Sequence, residues 1–530
     1  MKKISFYSII LTLLFASCNG GQTKSTGGVG VDSDSIRRVE RIADSIARTP
    51  FSSKQLESAN EVDYSITVFD SAVDGRIDDI RSLYTNNGDS YTFRGGPLRD
   101  ANYGGKVKGE PKEIVKVWSF VTAYDGTQTR MGSWGGGSGW TGQPVYVKWP
   151  NELVERFKKE SPALTPDFDN EEIIVGSLCC NAYFINFKTG KASRQPLDVI
   201  NPIKGSVSLD PRLNGNLFVG HGIPKIDPMS QTAFNLFTHQ QIYFSGRDHN
   251  AWCGWSANDS SPIVVGEYLF WPSENGTIYK YHVKGNDIKL HSTLRFKYKG
   301  AAAGVENSIC IYKNYGWFGN NRGSILCIDL NTLKPIWHYD NHDDIDGSIV
   351  CEVIDDIPYL YSGCEVDRQG DNGICHFIKL NGLTGEKIWE NPIPCTKLNL
   401  YGKHFDGGLY CTPLLGRGDC DSLIFANICQ RENSKKAEFT AFSKKTGEIV
   451  YQIPLSSFAW SSPVGFLNEK GKYYIFTGDS RGEAYLIDAK KREIIFHDKM
   501  CDNFESSPVV VGNQLVVGSR GSKINKFEIK

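Results

Sequence analysis

A short polar corner followed by β-rich runs recurs eight times along this 530-residue chain. Two copies near the C-terminus read "AWSSPVGFLNEKGKYYIFTGDSRGEAYLID" and "FESSPVVVGNQLVVGSRGSKINKFEI", and their runs consist of the β-branched and aromatic residues that favour strands. Several copies add a fourth run with an aromatic residue, such as Trp389 in "TGEKIWENP". Each unit therefore predicts a four-stranded antiparallel sheet. The corners begin at Thr141, Lys204, Asp259, Glu306, Asp346, Asp406, Trp460 and Glu505.

Units of about 40 to 50 residues with four strands each are typical of a β-propeller. The fold class predicted is all-β, with eight blades over residues 113–530. The last unit ends at Lys530 after its third strand, and "KEIVKVWSFVT" upstream of the first unit has the form of the missing fourth strand. We predict that Val115–Val121 pairs with Lys523–Ile529, which closes the ring without an exposed sheet edge.

The N-terminus has the pattern of an export signal. Lys2 and Lys3 precede the apolar stretch "ISFYSIILTLLF", and small residues stand directly before Cys18, as in a bacterial lipoprotein signal. Residues 1–18 are predicted to be the signal peptide, with Cys18 lipidated after processing; an ordinary cleaved signal is the alternative. Residues 19–60 are then a polar tether with one short helix, and residues 61–112 lead into the propeller.

Charge excludes one class of partner. The chain has 59 basic and 60 acidic residues, a net charge of -1, so it lacks the basic excess that binds nucleic acid. After the signal no apolar run is long enough for a spanning helix. We expect a monomer held at the bacterial cell envelope, at the outer membrane, by its lipid anchor, with envelope proteins or an extracytoplasmic ligand as partners.

The repeat "SSPVV…LVVGS…G…Y.ID..TGE..W" resembles the pyrroloquinoline-quinone-type (PQQ-like) propeller repeat, over roughly Ser90 to Lys530. Proteins with that repeat include quinoprotein alcohol dehydrogenases and the BamB-like propeller lipoprotein of the outer-membrane β-barrel assembly machinery, a non-enzymatic scaffold. The resemblance is specific for the fold, whereas the two groups differ in function. We interpret this chain as closer to the lipoprotein.

The adjacent cysteines Cys179 and Cys180 test the dehydrogenase alternative, because the resemblance implies such a pair beside the quinone. We place them in the turn between the second and third strands of blade one, on the face away from the corners, which argues against that role. The sequence also has no heme-attachment CxxCH motif and no recognisable calcium-ligand set with a catalytic Asp. No PQQ cofactor is therefore predicted. Cys364 and Cys375 flank one loop on adjacent strands, so a disulfide between them is feasible.

The corners predict a binding site more specifically than the cysteines do, because the residues before each innermost strand lie around one mouth of the channel. Five of them are acidic, Lys204 is the only basic one, and Thr141 and Trp460 complete the ring. Carboxylates about 8 Å apart repel by roughly 0.5 kcal/mol even in water, which favours a bound cation such as calcium, a raised pKa or a basic partner. Alternatively, each acid caps the backbone N–H groups that follow it. No catalytic residue and no specific metal site are predicted.

These observations predict a non-enzymatic envelope scaffold that binds a protein or ligand through the channel mouth and the loops "YDNHDDIDG" and "NLYGKHFDGG", with a role in outer-membrane protein assembly as one form of it. An extracytoplasmic enzyme that acts on a glycan with mouth carboxylates is the main alternative, and a PQQ-dependent dehydrogenase is the other.

Overall fold

The computed structural model describes residues 37–43, 62–70, 77, 83–84, 88–139, 142–400, 403–431 and 436–530. Eight antiparallel sheets follow one another along the chain, six with four strands and two in which two further strands are added to the four. They form the eight-bladed propeller that the repeats predict, with the side chains of the inner strands buried between neighbouring blades.

Each blade is a meander in which sequential strands run from the axis outwards. The strands of blades one to four are Val145–Lys148, Glu171–Gly176, Asn181–Asn186 and Leu197–Asp198; Ser208–Leu209, Asn216–Gly220, Gln231–Asn235 and Gln240–Phe244; Ile263–Val265, Tyr268–Ser273, Thr277–Lys284 and Asp287–Tyr298; and Cys310–Tyr312, Tyr315–Phe318, Ser324–Asp329 and Pro335–Asp340. Those of blades five to eight are Val350–Ile354, Ile357–Ser362, Asn372–Asn381 and Lys387–Thr396; Leu414–Leu415, Leu423–Cys429, Ala437–Ser443 and Ile449–Pro454; Val464–Leu467, Tyr473–Gly478, Glu483–Asp488 and Glu493–Lys499; and Val509–Val511, Gln514–Ser519, Lys523–Ile529 and Ile114–Val121.

The two ends of the propeller domain close the ring together. Ile114–Val121 is the outermost strand of blade eight and pairs antiparallel with Lys523–Ile529, so that Val115 lies opposite Glu528 and Val121 opposite Lys523. This confirms the predicted closure.

An aromatic residue on the fourth strand joins a blade to the next one. The indole N–H of Trp389 donates to the carbonyl of Lys444 at 3.0 Å, and Gly447 packs on the face of its ring. Gly447 has φ +73°, and a Cβ there would lie 2.5 Å from the ring, so only glycine suits this turn. The same arrangement joins Trp118 to Phe187 and Gly190, and Trp337 to Gly382 and Gly385.

The lead-in segment does more than precede the first blade. Val62–Val68 adds a fifth strand to the outer edge of blade three, paired with Asp287–Tyr298. Residues 88–107 then cross the propeller at the ends of its innermost strands, with backbone hydrogen bonds to Tyr146, Leu209 and Ile311 in blades one, two and four. The same segment bonds Leu467 and Gly512 on the far side of the ring, so it holds the blades together from the axis.

Helices are few in the described part of the chain. Residues 37–43 are helical, and Asn151–Glu160 forms a helix between the first two strands of blade one. Short 3-10 turns occur at Phe93–Gly95 and Gly418–Cys420. None of the helices described is long and apolar enough to cross a membrane.

Candidate ligand-binding site at the channel mouth

The corners form a hydrogen-bonded ring around the channel. The N–H of Ser261 donates to the hydroxyl of Ser308 at 2.9 Å, and the N–H of Ser308 donates to the hydroxyl of Ser348 at 2.9 Å. Equivalent links join Gln143 to Ser206, Thr412 to Ser462, and Ser462 to Ser507. The third residue of each of these corners therefore fixes its blade to the next one.

This ring changes the role expected of the corner acids. The backbone N–H groups of Ser261 and Ser308 are already bonded to the neighbouring corner, and no backbone hydrogen bond to the side chain of Asp259, Glu306 or Asp346 is found among the described residues. The expectation that these acids cap their own corners is wrong for these three residues. Their carboxyl groups are free to face the channel.

The acid predicted for blade six is misplaced. The innermost strand of that blade begins at Leu414, so Tyr410 holds the position that Asp259 and Asp346 hold in their blades. Asp406 belongs to an inserted segment that forms short extra strands before the corner, and Lys397 Nζ lies 2.9 Å from its Oδ1. The aromatic Tyr410 is therefore the ring member.

Blades three and four supply one cluster of acids with a lysine among them. Lys204 Nζ lies 2.5 Å from Oε1 of Glu306 and contacts the carboxylate of Asp259. The carboxyl groups of Asp259 and Glu306 are also neighbours, with oxygens within 4.8 Å of each other. Glu274 completes the cluster, because one oxygen from each of the three acids lies within 4.8 Å of the others, and its Oε2 accepts a hydrogen bond from Trp255 at 2.7 Å.

Blade five supplies the second acidic cluster, which continues the first. Asp346 and Glu365 are neighbours that act on each other's protonation, and Glu365 also interacts with Tyr410. Asp344 lies beside them, and the charge of Glu306 acts on both Asp344 and Asp346. Among the residues that the structure describes, Lys204 is the only basic side chain within 4 Å of any of these six carboxyl groups.

Burial of so many acids shifts their protonation equilibria. Burial raises the pKa of Asp259 to about 7 and, with the nearby charge of Glu306, the pKa of Asp344 to about 8. Burial also raises the pKa of Glu274, Asp346 and Glu365 well above the ordinary value. Although burial opposes the charge of Lys204, the carboxylates of Asp259 and Glu306 hold its pKa well above the ordinary value. The mouth therefore retains protons that a cation would displace.

The opposite side of the mouth is aromatic. Tyr410 and Trp460 have ring centroids 5.4 Å apart, and Phe458 lies 4.7 Å from Trp460. Phe405 extends the row, 5.5 Å from Phe458. Glu505, beyond this wall, lies 3.5 Å from Nη1 of Arg520, and burial raises its pKa.

The lead-in segment closes the channel beneath the mouth. Phe93 is the floor of a small cavity of about 20 Å³ whose walls include Asp259, Glu306, Asp346 and Trp460. The fully buried Arg94 holds this floor in place, since its guanidinium donates to the carbonyls of Pro463 at 2.8 Å and Pro413 at 3.2 Å. The site is therefore a blind pocket and not a pore.

A second buried arginine anchors the same segment. Arg99 donates to the carbonyl of Ile309 at 2.9 Å, to that of Phe93 at 2.8 Å and to that of Ser261 at 3.2 Å. Burial lowers its pKa to about 10, so the side chain stays charged at neutral pH. Each arginine thus ties the floor to the corners of separate blades.

No protein-family model and no curated protein sequence matches the chain. Its structure is similar to that of a europium-containing methanol dehydrogenase, with 12% identity, a TM-score of 0.53, and coverage of 82% of this chain and 90% of that one. It is also similar to the quinohemoprotein alcohol dehydrogenase from Comamonas testosteroni, with 12% identity, a TM-score of 0.54, and coverage of 84% and 81%. BamB from Moraxella catarrhalis has 13% identity, a TM-score of 0.46, and coverage of 70% and 97%.

The chain has the PQQ-like eight-bladed propeller fold. At these identities the likeness concerns the fold alone, so the chemistry of this PQQ-like propeller has to be argued from its own side chains.

The cysteine pair lies on the opposite face from the one predicted. In a four-stranded meander, the turn between the second and third strands points to the same face as the link to the next blade. Accordingly, Ser177 in this turn donates to the carbonyl of Gly137 at 2.6 Å and accepts from the N–H of Ile203, directly before the corner Lys204. Cys179 and Cys180 therefore share the corner face.

The surroundings of the two thiols nevertheless differ from those of a redox centre. Burial raises the pKa of Cys180 to about 12, so its thiol is not ionised at neutral pH. The Sγ of Cys179 lies 3.3 Å from the hydroxyl of Tyr183. Neither cysteine is among the described residues that line the cavity.

The disulfide considered for Cys364 and Cys375 is not formed. Both are buried free thiols. The Sγ of Cys364 lies 3.5 Å from the carbonyl of Ile374 and accepts a hydrogen bond from the N–H of His376 at 3.2 Å, so this thiol is bonded to the backbone of the neighbouring strand. Cys18 and Thr141 lie outside the described residues.

Sequence reasoning missed Glu274 and Glu365, which complete the acidic side. Both follow the second strand of their blade, and such turns share a face with the corners. An acidic residue directly after the second run of a repeat could therefore have been identified as a member of the site by aligning the eight units. The alignment offers no such signal for Phe93 and Arg94, because they belong to a segment that does not repeat.

Proposed function

We propose that this PQQ-like propeller is an exported, non-enzymatic binding scaffold whose channel mouth holds a positively charged group of a partner protein in the cell envelope. One observation carries the proposal: the acids Asp259, Glu306 and Asp346, with further buried acids behind them, share one small blind pocket with the aromatic rings of Tyr410 and Trp460. The charge of a lysine or arginine side chain would suit the acidic half of this pocket, and its stem would suit the aromatic half.

The acidic half supplies the charge recognition. Asp346 and Glu365 are buried, and each has a raised pKa because its charged form is poorly solvated. A cation that enters the pocket would restore the stability of the ionised carboxylates and release their protons. Lys204 already supplies the positive charge beside Asp259 and Glu306, so an external cation would bind at the cluster around Asp346.

The aromatic half favours an organic cation over a bare metal ion. An ammonium or guanidinium group within about 6 Å of a tyrosine or tryptophan ring gains about 0.5–2 kcal/mol from the cation–π interaction. Tyr410 adjoins both halves, since it interacts with Glu365 while its ring packs against Trp460. The stem of a basic side chain would therefore lie along the aromatic wall while its charge meets the acids.

The alternatives agree less well with this geometry. PQQ is an anionic cofactor, and a mouth with six carboxyl groups and one lysine repels it; these residues do not fit PQQ. Glycoside hydrolysis needs two carboxyl groups about 5 to 9.5 Å apart with a sugar between them, whereas the ammonium group of Lys204 already contacts both Asp259 and Glu306. Calcium at the cluster of Asp259, Glu274 and Glu306 would have to displace Lys204.

The envelope location rests on the signal pattern that ends at Cys18. We expect mass spectrometry of the exported protein to find a diacylglyceryl group on Cys18 and none in Cys18→Ala, which should leave the membrane fraction. A mature N-terminus at another residue, without a lipid, would contradict the lipid anchor but would not affect the binding proposal.

The binding proposal is tested with two matched peptide sets. Short peptides with a central arginine between apolar residues are passed over the immobilised protein beside the same peptides with citrulline, which is neutral and nearly isosteric. We expect retention of arginine peptides at least tenfold above their citrulline twins, and a loss of that preference at raised salt.

Variants place the binding at the mouth. Asp346→Asn and Trp460→Leu should each reduce retention at least tenfold, whereas Asp287→Asn, at an exposed carboxylate paired with Lys289, should not. Equal retention of arginine and citrulline peptides, or equal losses in the mouth variants and the control, would contradict the proposal.

A further inference from the structure

A second group of ionisable side chains lies at the boundary between blades four and five, apart from the pocket. His342 follows the outermost strand of blade four, His376 lies on the third strand of blade five, and Glu390 lies on the fourth strand of that blade. The three are distant in sequence and come from two blades. Their meeting is therefore a product of the fold.

The three side chains are close enough to share one ion. His376 Nδ1 lies 2.7 Å from Oε1 of Glu390, and the imidazole rings of His342 and His376 have centroids 4.3 Å apart at 45°. One donor atom from each residue lies within 4.8 Å of the other two. Ligands of a tetrahedral zinc ion with bonds of about 2.0 Å lie about 3.3 Å apart, so the group needs only a small contraction.

Two of the three residues are buried, and the third is about half exposed. His376 and Glu390 are buried to within a few per cent on adjacent strands, and Lys387 contacts the other oxygen of Glu390, which directs Oε1 toward the imidazoles. The side chain of His342 is 49% exposed, and its Nδ1 lies 3.9 Å from Oδ1 of Asp340. Its backbone is fixed by a hydrogen bond of 3.0 Å from its N–H to Asp340.

A purely structural role accounts for only part of the group. A buried histidine bonded to a carboxylate is common, and His376 with Glu390 is such a pair. That pair needs no second imidazole, yet His342 is placed against it with φ +72°, in the left-handed region. Two imidazoles and one carboxylate form a donor set typical of zinc sites that keep an open position.

We propose that His342, His376 and Glu390 bind a divalent transition metal ion such as zinc, with the fourth position open toward solvent beside His342. The site is independent of the proposed function, because none of its residues lines the channel cavity.

The full chain, freed of metal with a chelator, is titrated with zinc chloride by calorimetry and with cobalt chloride by visible absorption. We expect one ion per chain and the d–d bands of tetrahedral cobalt. His342→Ala and Glu390→Gln should each weaken binding at least tenfold and reduce those bands. Because His342 is exposed, its variant should unfold at the same temperature as the parent without metal.

The control is His497→Ala, which removes another exposed histidine bonded to a carboxylate, Glu483 at 3.1 Å, with no second histidine beside it. It should bind zinc as the parent does. Absence of zinc binding in the parent, or undiminished binding in His342→Ala, would overturn the proposal. Retention of arginine peptides by His342→Ala is expected to be unchanged, so the two proposals fail separately.

Discussion

Deletion of residues 523–530 should prevent the propeller from folding. These residues include the third strand of blade eight, which bonds both Gln514–Ser519 and the N-terminal strand Ile114–Val121. Ile524, Phe527 and Ile529 on this strand are buried, and each contributes about 1.5–3 kcal/mol, or roughly 5–9 kcal/mol together. That sum is comparable with the total stability of about 5–15 kcal/mol of a typical domain, so the shortened chain has little left to hold the ring closed.

The deletion is measured by limited proteolysis and by the cooperativity of thermal unfolding. We expect rapid cleavage and a broad transition, with recovery of protease resistance when a peptide of residues 523–530 is added. Removal of residues 1–70 is the matched control, because Val62–Val68 lies at the outer edge of blade three and leaves its four strands intact. A shortened chain that unfolds as sharply as the parent would show that closure does not stabilise the ring.

The closure of the ring could be predicted from the sequence for a physical reason. Each blade repeats the same strand pattern, so eight copies support one another, and Ile114–Val121, which has the form of a fourth strand, pairs with the third strand of blade eight. Trp118, Trp337 and Trp389 occupy equivalent positions because each indole N–H bonds the next blade in the same way. Regular features of this kind are readable from a single sequence.

The candidate site was less predictable because it depends on irregular segments. At blade six the pattern of an acid followed by two glycines led to Asp406, although Thr412 and Pro413 before Leu414 match the "SSPV" corners better. An inserted segment with extra strands separates the two positions. The floor under Phe93 was missed because residues 88–107 do not repeat, and their arginines bond backbone carbonyls that no sequence pattern identifies.

The acidic mouth has a cost in stability that the rest of the fold has to offset. Neither Asp346 nor Glu365 lies within 4 Å of a basic side chain among the described residues, and ionising a buried acid in such surroundings disfavours the folded state. The rigid corner ring and the anchored floor keep the acids together in spite of this cost. A ligand that brings a positive charge would remove this cost in stability, so binding of the ligand should stabilise the folded protein.

Asp346→Asn should therefore stabilise the protein at about pH 8 and have little effect near pH 4. Burial raises the pKa of Asp346 and Glu365 well above the ordinary values of 3.8 and 4.5, and that of Asp259 to about 7. Between about pH 4 and pH 8 the folded state thus binds more protons than the unfolded chain, and the free energy of unfolding falls as pH rises. Since one pKa unit corresponds to about 1.4 kcal/mol, we expect the neutral amide to recover about 1–3 kcal/mol at the upper end of this range.

Chemical denaturation of the parent and the variant across this pH range measures the difference directly. The curve of the parent should fall with pH and that of Asp346→Asn should fall less steeply, while Asp287→Asn, which removes an exposed carboxylate, should follow the parent. An arginine peptide that binds at the mouth should raise the stability of the parent more at pH 8 than at pH 5, because it meets ionised carboxylates only there. Parallel curves for all three proteins would mean that Asp346 is solvated well enough to ionise freely, and the mouth would then lack the electrostatic strain on which binding of a cation depends.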